Sequence, residues 1–218
     1  MIATSGSSRD RSALSGAVAG VSFIGGVAGA IALADGPFPR PGADPAQIRE
    51  YFTQNAGPAR LSAAGQAISA ASLVQFTASV ARLAARTGRG SRALRAAAVA
   101  GGGLAAASLA TSAVTHAMLT GQHDDDAAAK LARREFVAGG PVHGVGFGVL
   151  TGALALAGLR TGELPRPVAI TGLVSAASSL LSPLYFLWEP AGWLIPAGRF
   201  PGLLVSGIAG VRLGRGAG

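Results

Sequence analysis

No cysteine occurs in the 218 residues. That absence excludes disulfides, thiolate nucleophiles, zinc–thiolate sites and iron–sulfur clusters. Lysine is almost missing as well, with Lys130 standing alone against seventeen arginines. Aromatic residues make up 6% of the chain and Asp, Glu, Lys and Arg together only 13%. Soluble domains carry about 25% charged residues. In water, a fold this poor in charge would expose broad apolar surface; in a bilayer, lipid solvates that surface. The chain also lacks HExxH, GxSxG, P-loop and dinucleotide fingerprints, so nothing in it argues for an enzyme or a cofactor.

Half of the residues are hydrophobic, 33 are glycine, and the formal charge is +8. A basic chain invites a nucleic-acid reading, but no basic stripe interleaved with aromatics is present. The arginines instead border long uncharged runs, as anchors beside lipid headgroups do. Five runs are long, at 12–34, 61–81, 96–122, 136–159 and 167–188. The sixth, 200–211, is short of the roughly 20 residues a helix needs to cross about 30 Å of hydrocarbon. Its helix is therefore expected to cover 194–213, taking Arg199 into one end and letting Arg212 snorkel at the other.

The connections alternate in charge. With the N-terminus in the cytoplasm, one side carries eleven bases (Arg9, Arg11, Arg160, Arg166, Arg212, Arg215 and the five arginines from Arg82 to Arg95) and two acids, Asp10 and Glu163. The other side carries seven bases and eight acids. This is the positive-inside pattern. It predicts an all-α, polytopic transmembrane bundle of six membrane helices with both termini cytoplasmic, in a bacterial plasma membrane and in contact with its lipids. A soluble Ala/Gly-rich bundle is the competing reading. The first run also resembles a signal peptide ending at Ala32-Leu33-Ala34, but its length favours a retained anchor.

Small residues recur at helical spacing: Gly16/Gly20, Gly25/Gly29, Gly140/Gly144/Gly148/Gly152 and Gly202/Ser206/Gly210. Such stripes let helices approach closely in lipid, within the chain or in a homo-oligomer. Pro183 is expected to kink the fifth helix, and Pro141 to sit harmlessly in the first turns of the fourth. Between the first two spans, 36–42 is Gly- and Pro-rich, and Asp44-Pro45 reads as an N-cap followed by a first helical residue. The segment 45–55 is expected to form a short amphipathic helix. Its apolar face would lie on the membrane surface or on the protein's own outer mouth.

The first span, the loop residues Asp44, Ile48, Tyr51, Phe52 and Asn55, the Arg-rich turn and Gly162-Glu163-Leu164-Pro165-Arg166 together resemble a family of uncharacterised multi-pass integral membrane proteins common in GC-rich Gram-positive bacteria. The resemblance implies a plasma-membrane helical bundle and brings no activity with it.

Candidate site residues follow from polar groups near apolar runs. His116 and His143 fall near facing ends of the third and fourth spans, with His123 and Asp124 between them. These four form a candidate metal set, and the two span histidines a candidate haem pair. The plainer alternative is ordinary hydrogen bonding, with the run Asp124-Asp125-Asp126 capping a helix. Glu189 and Arg199 flank the last outer turn and are a candidate ion pair or ligand site; independent solvation is the alternative. Three functions compete: a structural or accessory membrane component first, then a small transporter or channel-like protein with Gln66, Gln75, His116, His143 and Arg199 along a polar path, then a metal- or haem-binding membrane protein. Convergence of those side chains on one cavity decides between the first two.

Overall fold

A computed structural model describes residues 10–215, so Arg9, counted above on the arginine-rich side, lies outside them. Six helical segments are long and apolar enough to cross a membrane: Arg11–Leu33, Ala56–Ala85, Ser91–Leu119, Asp125–Thr161, Arg166–Phe186 and Glu189–Arg215. The chain is a multi-pass membrane protein and its fold an all-α bundle. Large apolar side chains point outward on every span, among them Val21, Val74, Val114, Val174 and Leu204. Lipid, rather than water, is the solvent that accepts them. Trp188 and Trp193 stand exposed at one end, where an interfacial aromatic belt belongs.

The α-helices are α1 Ser15–Leu33, α2 Pro45–Gln54, α3 Ala56–Ala85, α4 Ser91–Leu119, α5 Asp125–Val137, α6 His143–Thr161, α7 Arg166–Leu181 and α8 Leu194–Arg215. The spans pack in a ring, α1–α3–α4–α6–α7–α8 and back to α1, and α6 also reaches α3 and α8. Most helices outrun the uncharged runs, because a helix continues through the interface where its charged residues are solvated. The fourth span does so most, beginning at Asp125 and not near 136.

Two prolines behave differently from expectation. Pro183 does not kink a continuing α-helix; α7 stops at Leu181 and a 3-10 turn, Ser182–Phe186, follows. Pro141 lies inside a continuous span, in the π turn Ala138–Val142 that joins α5 to α6. Proline removes one donor and crowds the preceding turn, and a one-residue widening of the helix absorbs both effects.

Glycine sets how closely the helices approach. The Cα of Gly26 would be 2.8 Å from a Cβ placed on Gly65, so α1 and α3 touch backbone to backbone. Gly146 seats α6 on Gly101 and Ala105 of α4, and Gly144 and Gly148 seat it on Ser182 and Ser179. Along α8, Gly210 meets Ala13, and Ser206 meets Gly16. These faces are used inside one chain, while Gly25 and Gly103 face open space.

α2 is docked on the protein, not spread on the membrane surface. Asp44 accepts from the amides of Ala46 and Gln47, and Pro45 opens the helix. Ile48 and Phe52 are buried against Leu119, Ala128 and Leu131. Arg49 donates to Asp125 at 2.6 Å and ties α2 to α5. Asn55, at the α2–α3 junction, is buried; it accepts from the Asp35 amide at 2.7 Å and donates to the carbonyls of Asp35 and Tyr51.

At the arginine-rich end both acids are paired. Asp10 takes two nitrogens of Arg82, and Glu163 takes Arg86 at 3.0 Å. Burial works against a charged Asp10, but hydrogen bonds from Ser12, Arg82 and Ser79 outweigh it and hold its carboxyl below the ordinary 3.8. A depressed folded-state pKa gives stability that is present above the ordinary carboxylate value and lost as pH falls through the lowered one. Acidification below about pH 4 is therefore expected to loosen the N-terminal turn from α3 first. Faster amide exchange at residues 10–15, ahead of the α4–α6 core, is the readout.

Candidate functional site

Among the polar residues inside the bundle, one group converges. A cavity of about 400 Å³ lies in the half of the bundle away from the arginine-rich end. Its apolar walls are Phe23, Val27 and Ile31 of α1 and Ile195 and Phe200 of α8. Its polar residues are Ser62 and Gln66 of α3, Ser112 and His116 of α4, Glu135 of α5 and Arg199 of α8. Four separate helices thus bring polar side chains to one apolar-walled space, a common form of small-molecule site.

The course of α1 makes this space. Near the arginine-rich end the turn before α1 meets α8 at Ala13–Gly210, and α1 lies between α8, at Gly16–Ser206 and Gly20–Leu203, and α3, at Gly16–Phe76. Farther along it leans on α3, at Gly26–Gly65 and Gly29–Leu61. Beyond Gly20 the two helices face each other across the cavity. Ile31 and Phe200, at its rim, are both at least half exposed on the lipid-facing surface.

Arg199 sits at the floor of this wedge. Its guanidinium carbon is 5.0 Å from the centroid of the Phe23 ring, a cation–π distance. Its Nη2 donates to the Gly139 carbonyl. Pro141 explains why that carbonyl is available. In an unbroken α-helix Gly139 would accept from the His143 amide, but in the π turn that amide goes to Ala138 and Gly140. The proline that distorts the span thereby supplies an acceptor for the buried cation.

Glu135 holds the other side. Its Oε1 accepts from Ser112 Oγ at 3.1 Å and lies 3.5 Å from His116 Nδ1, a contact without hydrogen-bond geometry. The single Ser112 proton is shared with Gln66 Oε1, 2.8 Å away, and Gln66 Nε2 donates to Ser62 at 3.4 Å. The His116 ring is stacked on Phe38, centroids 6.2 Å apart, and meets Phe52 edge-on. Phe38 belongs to the 36–42 loop, which has positive φ at Gly36 and Gly42. It also lines a second cavity of about 630 Å³, beside Arg40 and Arg133. Tyr51 reaches the first cavity from α2, and burial pushes its phenol above the usual 10.0, so it stays a neutral donor.

The sequence-selected residues divide sharply. His116 and Arg199 are at the cavity, with Gln66. Gln75, nine residues along α3, is exposed on another face. His143 is buried elsewhere, its Nδ1 3.0 Å from the Ala105 carbonyl and its ring stacked on Phe147. Ala105 lies eleven residues from His116 on α4, about 16 Å along the axis. The two histidines are therefore at different depths, because the fourth span begins well before the place its apolar run suggests. His123 and Asp124 are exposed, and Asp124 caps α5 through the Ala127 amide. Among the described residues no three His, Asp or Glu side chains come together as metal ligands. Glu189 is exposed, and no ion pair joins it to Arg199; the acid that shares the cavity with Arg199 is Glu135.

Glu135 was the missed residue, and it left a signal. It falls on the same α5 stripe as Ala128 and Leu131, at i, i+3 and i+7, a charge on an otherwise apolar face. Comparison with known proteins gives no relative: no family model, curated protein or solved structure matches this chain.

Proposed function

We propose that this protein binds an amphiphile taken sideways from the membrane leaflet at its acid-rich end. The reading extends the binding-and-transport alternative in preference to a purely structural component. It is carried by one observation: Gln66, Ser112, His116, Glu135 and Arg199 meet in a single apolar-walled cavity between α1 and α8. A scaffold has no use for a partly buried arginine whose Nε lacks a partner, since such groups cost stability. Below the cavity Leu73, Phe76, Phe147 and Leu150 fill the interior, which favours a binding site closed on that side over a channel. The arginine bias supports a cytoplasmic closed end, and the composition suits the plasma membrane of a GC-rich Gram-positive bacterium.

A diazirine-bearing fatty alcohol, added to the full chain in lipid nanodiscs, tests this reading. Labelling is expected on the cavity walls of α1 and α8 and is expected to fall when unlabelled alcohol competes. Val27→Trp, which fills the opening from its edge, is expected to remove that competed labelling. Uniform labelling of all lipid-facing helices, with no competition, would overturn the proposal.

A further inference from the structure

We infer that the head group held here is a monoanion, the carboxylate of a single-chain amphiphile, and that Arg199 is its cation. The inference rests on the cavity reading above and adds the chemistry of the bound head. Arginine keeps its charge under all ordinary conditions. A cation in a low-dielectric space needs a counter-charge and filled hydrogen bonds to be tolerated. Arg199 has neither in full. Among the described residues it belongs to none of the four close ion pairs. One nitrogen, Nη2, is engaged by the Gly139 carbonyl, and Nε is sealed without a partner. Among the described residues the Nη1 group has no hydrogen-bond partner, and it is left for a ligand in the cavity that Arg199 lines.

The other polar groups are turned toward one another. Ser112, Gln66 and Ser62 form a chain of hydrogen bonds, and Glu135 rests on Ser112 and beside His116. Glu135 is thereby held on the α4 side, with Arg199 across from it on α8. Among the described residues no second arginine and no lysine lines this cavity. One cation with an acid nearby suits a single negative charge and under-neutralises a phosphate dianion. At about 400 Å³ the space is near the low end of ligand pockets, roughly 300–1,000 Å³. It holds a head and the first part of one chain. The remainder leaves between Ile31 and Phe200, which open onto lipid.

The test uses the full-length chain in nanodiscs, with palmitate, cetyl alcohol and dodecyl phosphate each competing against the diazirine-bearing alcohol. Palmitate is expected to compete at least about tenfold better than cetyl alcohol, the worth of one charge-assisted hydrogen bond. Arg199→Gln is expected to erase that preference, palmitate then competing no better than cetyl alcohol, with an unchanged helical circular-dichroism spectrum showing that the variant is folded. Arg199→Lys is expected to restore part of it. Equal competition by acid and alcohol in the wild-type chain would overturn the head assignment and leave the cavity reading standing. A stronger effect of dodecyl phosphate would overturn the carboxylate. Failure of every compound to compete would overturn both readings.

Discussion

Gly65→Leu is expected to destabilise the protein by about 3 kcal/mol, the upper part of the usual range for overpacking. A Cβ at this position would lie 2.5 Å from the Ser22 carbonyl oxygen and 2.8 Å from the Gly26 Cα. Both neighbours are backbone, so no rotamer change relieves the clash and α1 must move bodily off α3. In lipid, close packing of this kind supplies much of the association that hydrophobic burial supplies in water. Gly103 gives the opposite sign. Nothing lies within 4 Å of a Cβ there, so Gly103→Ala is expected to stabilise by up to about 1 kcal/mol through helix propensity. Unfolding by sodium dodecyl sulfate in bicelles, followed by circular dichroism, separates the two. Equal effects at both sites would mean that glycine acts here only through backbone entropy.

Asn55→Ala is expected to cost about 2 kcal/mol and to free the end of α1. The side chain makes three bonds: Oδ1 accepts from the Asp35 amide at 2.7 Å, and Nδ2 donates to the carbonyls of Asp35 at 3.2 Å and Tyr51 at 3.0 Å. Stranding a buried polar partner costs about 1–3 kcal/mol. Asp35 is exposed and recovers water, which keeps the total near the middle of that range. Asn55→Asp preserves only the acceptor and is expected to be no better than alanine. Hydrogen exchange at the Asp35 amide should rise in Asn55→Ala, which removes its acceptor, and less in Asn55→Asp, which keeps it. Unchanged protection there would show that the loop is held by Phe38 and its aromatic neighbours alone.

The architecture was readable because lipid imposes a blunt code. Charge is expensive in hydrocarbon, so arginines collect at the ends of spans and their asymmetry reports sidedness. The same code hides rotation about each helix. Spans that are apolar all round carry little periodicity, so nothing distinguished Gln66, which faces the cavity, from Gln75, which does not. Proximity in sequence misled at Glu189, ten residues before Arg199 yet joined to it by no ion pair, whereas Glu135, 64 positions away, lines the same cavity as Arg199. Pro141 was read as a helix start, because local rules place proline there. Only the packed structure shows a π turn that carries the helix past it and frees the Gly139 carbonyl for Arg199. Asp44-Pro45, by contrast, specified its helix start through local chemistry alone.

α1 stays on α3 along its length but leaves α8 beyond Gly20, and the parting between α1 and α8 faces hydrocarbon. A guest entering there never crosses water. Its competitor is the bilayer itself, so occupancy depends on its mole fraction among the surrounding lipids and not on its aqueous concentration. Exchange then requires no shedding of a hydration shell from the tail, and its speed is bounded by two-dimensional diffusion.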